Sequence, residues 1–302
     1  MRLALLLPAL PVVAATAIAG SNPPPVETHV VATGEAPCGV VAARDSGLWV
    51  GVYGAGTVLR IDPGSGKVTT TVRVGRWACR VVMGPAAVWV TRDQAGEIVR
   101  ISRGSGRLVR MKVGVGAFDV VLARGSVWAT SFEIGTIARI DAATTKLKRV
   151  YKDGPSPAGI TSCRGRVWVG HGREATWLTS IDPSTNRMRR VDVGTKAPGW
   201  PRCIRGELWV TDPNSVLRLD ARSGVVLGRL RLGGTPAEAA AGPDGLVWVT
   251  DKERSLVHRV DPKRFELVDS FPAGPGAYSL ARAGDAMWIT SFAGADIRRY
   301  SP

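Results

Sequence analysis

Pro37-Cys38-Gly39-Val40-Val41-Ala42-Ala43-Arg44-Asp45-Ser46-Gly47-Leu48-Trp49-Val50-Gly51-Val52 states a pattern that the rest of the chain repeats. Its fixed point is a tryptophan: Trp49, Trp89, Trp128, Trp168, Trp209, Trp248 and Trp288 follow one another at intervals of 40, 39, 40, 41, 39 and 40 residues. Each sits in an apolar-Trp-apolar triplet, such as Val88-Trp89-Val90 or Met287-Trp288-Ile289, followed by Thr or Gly. A period near 40 built from short β segments is the mark of a propeller blade. Seven copies predict an all-β, seven-bladed β-propeller with four-stranded antiparallel blades.

Turn chemistry divides one copy into four strands. Gly39 to Ala43 is small and apolar, as the crowded innermost strand must be. Leu48 to Val52 is the second strand, and its Trp is large enough to fill the gap between blades. Thr57 to Ile61 alternates and stops at Asp62-Pro63-Gly64-Ser65-Gly66, where Pro fixes φ and Gly permits a positive one. Lys67 to Val74 supplies the outer strand. The seventh copy ends at Ile297-Arg298-Arg299-Tyr300, one strand short, while Thr28 to Gly34 reads like the outer strand the others possess. This segment is therefore expected to complete the last blade and remove two open edges.

The repeat fills residues 28–302 as a single domain. Ahead of it, Met1-Arg2 precedes an apolar run from Leu3 to Ile18, and Ala17-Ile18-Ala19 has the form of a signal-peptidase site. Residues 1–19 read as a signal peptide, interrupted by Pro8 and Pro11, and residues 20–27 as a Pro-rich spacer. The expectation is an exported, periplasmic or extracellular monomer with no transmembrane segment after processing. An oxidising destination suits the four cysteines. Cys38 and Cys79 lie 11 and 10 residues before their blade's Trp, and Cys163 and Cys203 lie 5 and 6 before theirs. Both pairs belong to inner strands of adjacent blades, so Cys38 is expected to bond Cys79, and Cys163 to bond Cys203. The second pairing carries a one-residue offset that would turn one side chain to the other face. Free buried thiols or a metal site are the alternatives, although the spacing fits no zinc pattern.

The formal charge of +15 is concentrated on outer strands, where Lys146 and Lys148 flank Leu147, Arg187 and Arg189 flank Met188, Arg229 and Arg231 flank Leu230, and Arg110 and Lys112 flank Met111. Charge on an exposed edge blocks edge-to-edge pairing. The functional alternative is attachment to an anionic envelope polymer or membrane surface. Basic and aromatic residues do not interleave on one face, which argues against sequence-specific nucleic-acid binding.

Chemistry in a propeller belongs at the mouth of the axial channel, where inner strands begin. Counting back from each Trp places Cys38-Gly39, Cys79-Arg80, Phe118-Asp119, Ala158-Gly159, Gly199-Trp200, Ala237-Glu238 and Tyr278-Ser279 there. Arg80, Asp119 and Glu238 bring charge to that ring, and Phe118, Trp200 and Tyr278 could floor it with aromatic surface. Such a set suits a small-molecule or protein ligand with apolar rings and a polar group. Pairing of Arg80 with Asp119 is the plainer reading. A second ring lies three residues after each Trp and contains His171, Asp212 and Asp251, one His and two carboxylates from consecutive blades. Converged, they would hold a divalent ion; otherwise each Asp caps the turn that follows it.

The motifs Pro157-Ala158-Gly159-Ile160, Val247-Trp248-Val249-Thr250 and Arg60-Ile61-Asp62-Pro63-Gly64-Ser65-Gly66 resemble those of the virginiamycin B lyase (streptogramin lyase) family, and more broadly of NHL and YVTN repeat propellers. The resemblance covers the chain from about residue 28 onward. It implies opening of an ester-linked cyclic depsipeptide, with Mg2+ held by acidic residues and a mouth His in proton transfer. All seven Pro-x-Gly-level positions here lack His, and the acids after the Trp triplet match only at Asp212 and Asp251. The sequence therefore predicts ligand or partner binding without catalysis. The alternative is a magnesium-dependent lyase using Glu238, Asp212, Asp251 and His171.

Overall fold

The computed structural model describes residues 23–43 and 47–302. The expected signal peptide and the turn residues 44–46 lie outside the described residues. Seven four-stranded antiparallel sheets stand in a ring. The first blade runs Pro37–Ala43, Gly47–Val52, Thr57–Ile61 and Val68–Arg73 from axis to rim. Each expected strand is present to within two residues at either end. In the seventh blade the N-terminal strand Val26–Ala32 pairs antiparallel with Asp296–Ser301, so the ring closes by joining the two ends of the chain. That strand begins at Val26, inside the expected spacer. Pro23 is held as well, because its carbonyl accepts a hydrogen bond from Arg259 Nη2 at 3.2 Å.

Each repeat tryptophan packs outward from its own blade. Trp49 joins Val88, Val90 and Ile101 of the second blade, Trp168 joins Leu208, Val210 and Leu219 of the fifth, and Trp288 joins Leu48, Val50 and Ile61 of the first. The core is thus divided into seven wedges between blades, plus a smaller axial cluster of Cys38, Cys79, Ala237 and Tyr278. A fully buried indole contributes roughly 4 to 6 kcal/mol of apolar burial. The 40-residue period is the spacing of these wedges.

Five threonines that follow the Trp triplets reach toward the next blade. Thr130 Oγ1 donates to Ala158 O at 2.7 Å, Thr211 to Ala237 O at 2.8 Å, Thr250 to Tyr278 O at 2.6 Å and Thr290 to Cys38 O at 3.0 Å, with Thr91 reaching Phe118 O at 3.5 Å. In the first and fourth blades that Thr is Gly51 and Gly170. There the next inner strand comes too close for a side chain: a Cβ on Gly51 would lie 2.0 Å from Cys79 O, and one on Gly170 2.3 Å from Gly199 O. These are the two junctions bridged by disulfides, Cys38–Cys79 and Cys163–Cys203. Where the hydroxyl clasp is missing, a covalent one stands in its place.

Both pairings match expectation, and the offset that counted against the second is what it requires. Cys163 pairs across its hairpin with Arg166, whereas Cys203 pairs with Leu208, one step further from the turn. The faces that meet between adjacent blades are opposite faces, so side chains must leave the two strands on opposite sides. The outer-strand cations also serve the ring: Arg110 Nη1 donates to Val74 O at 2.8 Å, Arg189 Nη2 to Arg222 O at 2.9 Å and Arg229 Nη2 to Gly194 O at 2.9 Å, each in a neighbouring blade.

Candidate functional site

Inner strands of six blades carry a register shift near their axial start, between Pro37 and Val40 in the first and between Pro236 and Ala239 in the sixth. The bulge turns the next residues into the channel. The fifth blade has none; Trp200 pairs directly with Thr211 and leans over the mouth. Its ring stacks on Phe118 at 5.2 Å and meets Tyr278 edge-on at 5.9 Å. The expected aromatic floor is therefore continuous. Phe132 extends it at 5.1 Å from Phe118, and Phe292 at 5.6 Å from Tyr278. Phe118, Phe132 and Trp200 line a cavity of about 230 Å³ with Ala158, Gly172 and Pro236.

Beneath the floor lies a charged layer. Arg80 does not pair with Asp119 as the sequence reading allowed. Its Nη1 bonds Glu238 Oε2 at 2.7 Å, across the channel from the second blade to the sixth. Glu238 Oε1 accepts a second bond from Arg202 Nε at 2.6 Å, and Arg202 Nη1 reaches Asp119 Oδ2 at 3.3 Å. Asp119 also accepts the backbone N–H groups of Val120 at 2.8 Å and Ile160 at 3.0 Å. Four side chains thus tie the second, third, fifth and sixth blades through the axis. The Arg80 guanidinium lies 4.4 Å from the Trp200 ring centroid and 4.6 Å from that of Tyr278, in cation–π range.

Burial alone would raise the Glu238 carboxyl, but the facing Arg202 and Arg80 outweigh it and bring the group down to about 2. Burial alone would lower Arg80; the Tyr278 hydroxyl, Glu238 and Asp119 hold it above its ordinary value. Burial pushes the Tyr278 phenol up. The layer sets two guanidiniums against two carboxyl groups, and Glu238, held low by its arginines, is a weak base. The arginine it needs, Arg202, went unnoticed in the sequence because it sits two residues deeper than the mouth level. Its signal is that the other side chains opposite a repeat Trp on the inner strand, such as Val41, Val121 and Thr161, are uncharged.

The proposed metal set does not assemble. His171 is fully buried, with Nδ1 3.2 Å from Pro155 O and Nε2 3.1 Å from Thr179 Oγ1 and 3.3 Å from Asp153 Oδ2. Asp212 Oδ1 caps its own turn, accepting from Asn214 N at 3.0 Å and Ser215 N at 2.7 Å. Asp251 Oδ1 accepts from Thr235 N at 3.2 Å and Arg254 N at 3.0 Å. Asp212 and Asp251 take the capping role that was the alternative, and His171 is held by Pro155, Thr179 and Asp153. Among the described residues no group of three or more His, Cys, Asp or Glu lies close enough together to hold a metal ion, so the residues present do not fit Mg2+. One ring was overlooked: the residues four after each Trp are Tyr53, Asp93, Phe132, Gly172, Pro213, Lys252 and Phe292. They form the rim of the mouth. Lys252 Nζ sits 4.3 Å from the Phe292 centroid and 5.0 Å from that of Tyr278.

These features define a seven-bladed propeller whose axial channel has an aromatic mouth over a buried ionic layer. The fold is that of the streptogramin lyases. The chain is similar to a structure of streptogramin B lyase, with a TM-score of 0.78 at 15% identity over 91% of this chain and 98% of that one. It is equally similar to catalytically inactive virginiamycin B lyase from Staphylococcus aureus with quinupristin, with a TM-score of 0.79 at 17% identity over 92% and 99%. A chain of the mitotic checkpoint complex matches with a TM-score of 0.80 at 11% identity over 100% and 99%. Likeness at these identities establishes architecture. No protein-family model matches the sequence, and no curated protein matches it.

Proposed function

We propose that this protein is an exported propeller that binds a small ligand at its channel mouth and performs no catalysis. The carrying observation is the convergence of Phe118, Trp200, Tyr278, Phe132 and Phe292 from three blades into one aromatic surface. A scaffold has no need of it, since the seven wedges already supply the core. The mouth takes a body with apolar rings. Export is supported by the two disulfides, which persist in oxidising compartments.

The lyase reading needs a base beside a substrate carbonyl and a cation to polarise it. Glu238 is clamped by two arginines and His171 is sealed away from the channel, so neither is placed for that work. Attachment to an anionic polymer through the rim is less favoured, because outer-strand arginines are engaged in carbonyl contacts between blades. Calorimetric titration with N-acetyltryptophanamide, a neutral probe with a ring and amides, tests the mouth. Saturable binding that weakens at least tenfold in Phe118→Ala is the expected result. No binding, or equal binding by the variant, overturns it.

A further inference from the structure

Below the aromatic floor the axial channel holds a separate chamber of about 190 Å³. Its walls are largely aliphatic, from Val40, Val41, Val120, Val121 and Ile160, and its polar groups come from the ionic layer, Thr161 and Ser279. Arg80 lines it, and this side chain is 4% exposed. One of its nitrogens is bonded to Glu238, but Nε and Nη2 are buried without a hydrogen-bond partner. Two unmet N–H groups on a buried guanidinium cost several kcal/mol, and a planar fork of donors matches a carboxylate.

The charge balance points the same way. Arg80 and Arg202 face two carboxyl groups, Asp119 and Glu238, and at the rim above them Lys252 has Arg80 as a like-charged neighbour. Among the described residues Lys252 Nζ has aromatic faces for neighbours and no carboxylate, and it stands over the same Tyr278 ring as Arg80. Lys252 thus adds positive potential on the Arg80 side of the layer, where a counter-charge beside Arg80 is favoured.

We infer that the axial chamber is an anion site that takes a small aliphatic monocarboxylate, its carboxylate on Arg80 Nε and Nη2 and its hydrocarbon against the valines. The carboxylate answers the unpartnered edge of Arg80, and the apolar walls favour a short alkyl carboxylate over a hydrated inorganic anion. The site is distinct from the mouth and does not depend on the mouth reading.

Calorimetric titration of the folded protein with sodium propionate, at constant ionic strength against chloride, tests it. Saturable one-to-one binding is expected, weakened at least tenfold in Arg80→Met, which keeps the length of the side chain and removes its donors. Absence of saturable heat, undiminished binding by Arg80→Met, or tighter binding of inorganic phosphate than of propionate would overturn the proposal. Should Arg80→Met fail to fold, wild-type crystals soaked in bromide give an independent reading. An anomalous peak beside Arg80 Nε supports the site, and an empty chamber refutes it. Because propionate has no ring and N-acetyltryptophanamide has no charge, the chamber and the mouth can fail separately.

Discussion

Glu238 concentrates the chemistry of the axis in one carboxylate. Its folded-state value of about 2 lies below the ordinary 4.5, so its contribution to stability is present above pH about 4.5 and is lost as pH falls toward 2. The size of that contribution is about 3 kcal/mol. Urea unfolding should therefore show the wild type losing about 2 to 3 kcal/mol more than Glu238→Gln between pH 5 and pH 2.5. Parallel loss in both proteins would mean that the ion pairs contribute little. At neutral pH Glu238→Gln should itself cost about 3 kcal/mol, because two buried guanidiniums lose their shared partner. Arg80, Asp119 and Glu238 were legible as the charged exceptions in a ring otherwise neutral. Their partners were not, since pairing across an axis depends on which blades face each other, and Arg202 approaches from a deeper level. His171 and Asp251 misled for a related reason. Sequence position puts them at the mouth end of their strands, but Asp251 finds the nearer N–H of Arg254 in the turn that follows, and His171 is taken up by Pro155 O, Thr179 and Asp153.

The clasp between blades is the element that the repeat conserves in form and varies in chemistry. Thr250 Oγ1 accepts from Glu238 N at 3.1 Å and donates to Tyr278 O at 2.6 Å. Thr250→Val removes both bonds with little change of shape and should lower stability by about 2 kcal/mol. Gly51→Ala should cost at least as much, because its Cβ meets a backbone carbonyl that cannot turn aside. Unfolding midpoints decide both; a neutral Gly51→Ala would show that the junction is looser than described. The bridges at the two Gly junctions close loops of 41 and 40 residues, each worth about 3 to 4 kcal/mol in the chain-entropy model. The blade strands and both pairings were readable because turn residues and Trp spacing fix the register. That Gly at the clasp position and Cys on the inner strand go together was written in the sequence too. Its meaning needed the geometry, which shows the approach of backbone to backbone that Gly permits.

At the scale of the molecule, closure and channel are the two consequences of a sevenfold ring. Closure rests on Val26–Ala32, which pairs with the last strand and presents Glu27 Oε2 to Tyr300 at 3.0 Å and to Arg298 Nη1 at 3.0 Å. A chain lacking residues 26–34 should be insoluble or polydisperse by light scattering, and a monodisperse truncation would contradict the closing role. The channel is where function is assigned, and the account stands or falls on whether it binds or reacts. The most direct measurement is incubation with a streptogramin B depsipeptide and magnesium, with a chelator control, followed by mass spectrometry. The account predicts an intact ring under both conditions. Chelator-sensitive linearisation would contradict it and restore the residues after the Trp triplets as an active site.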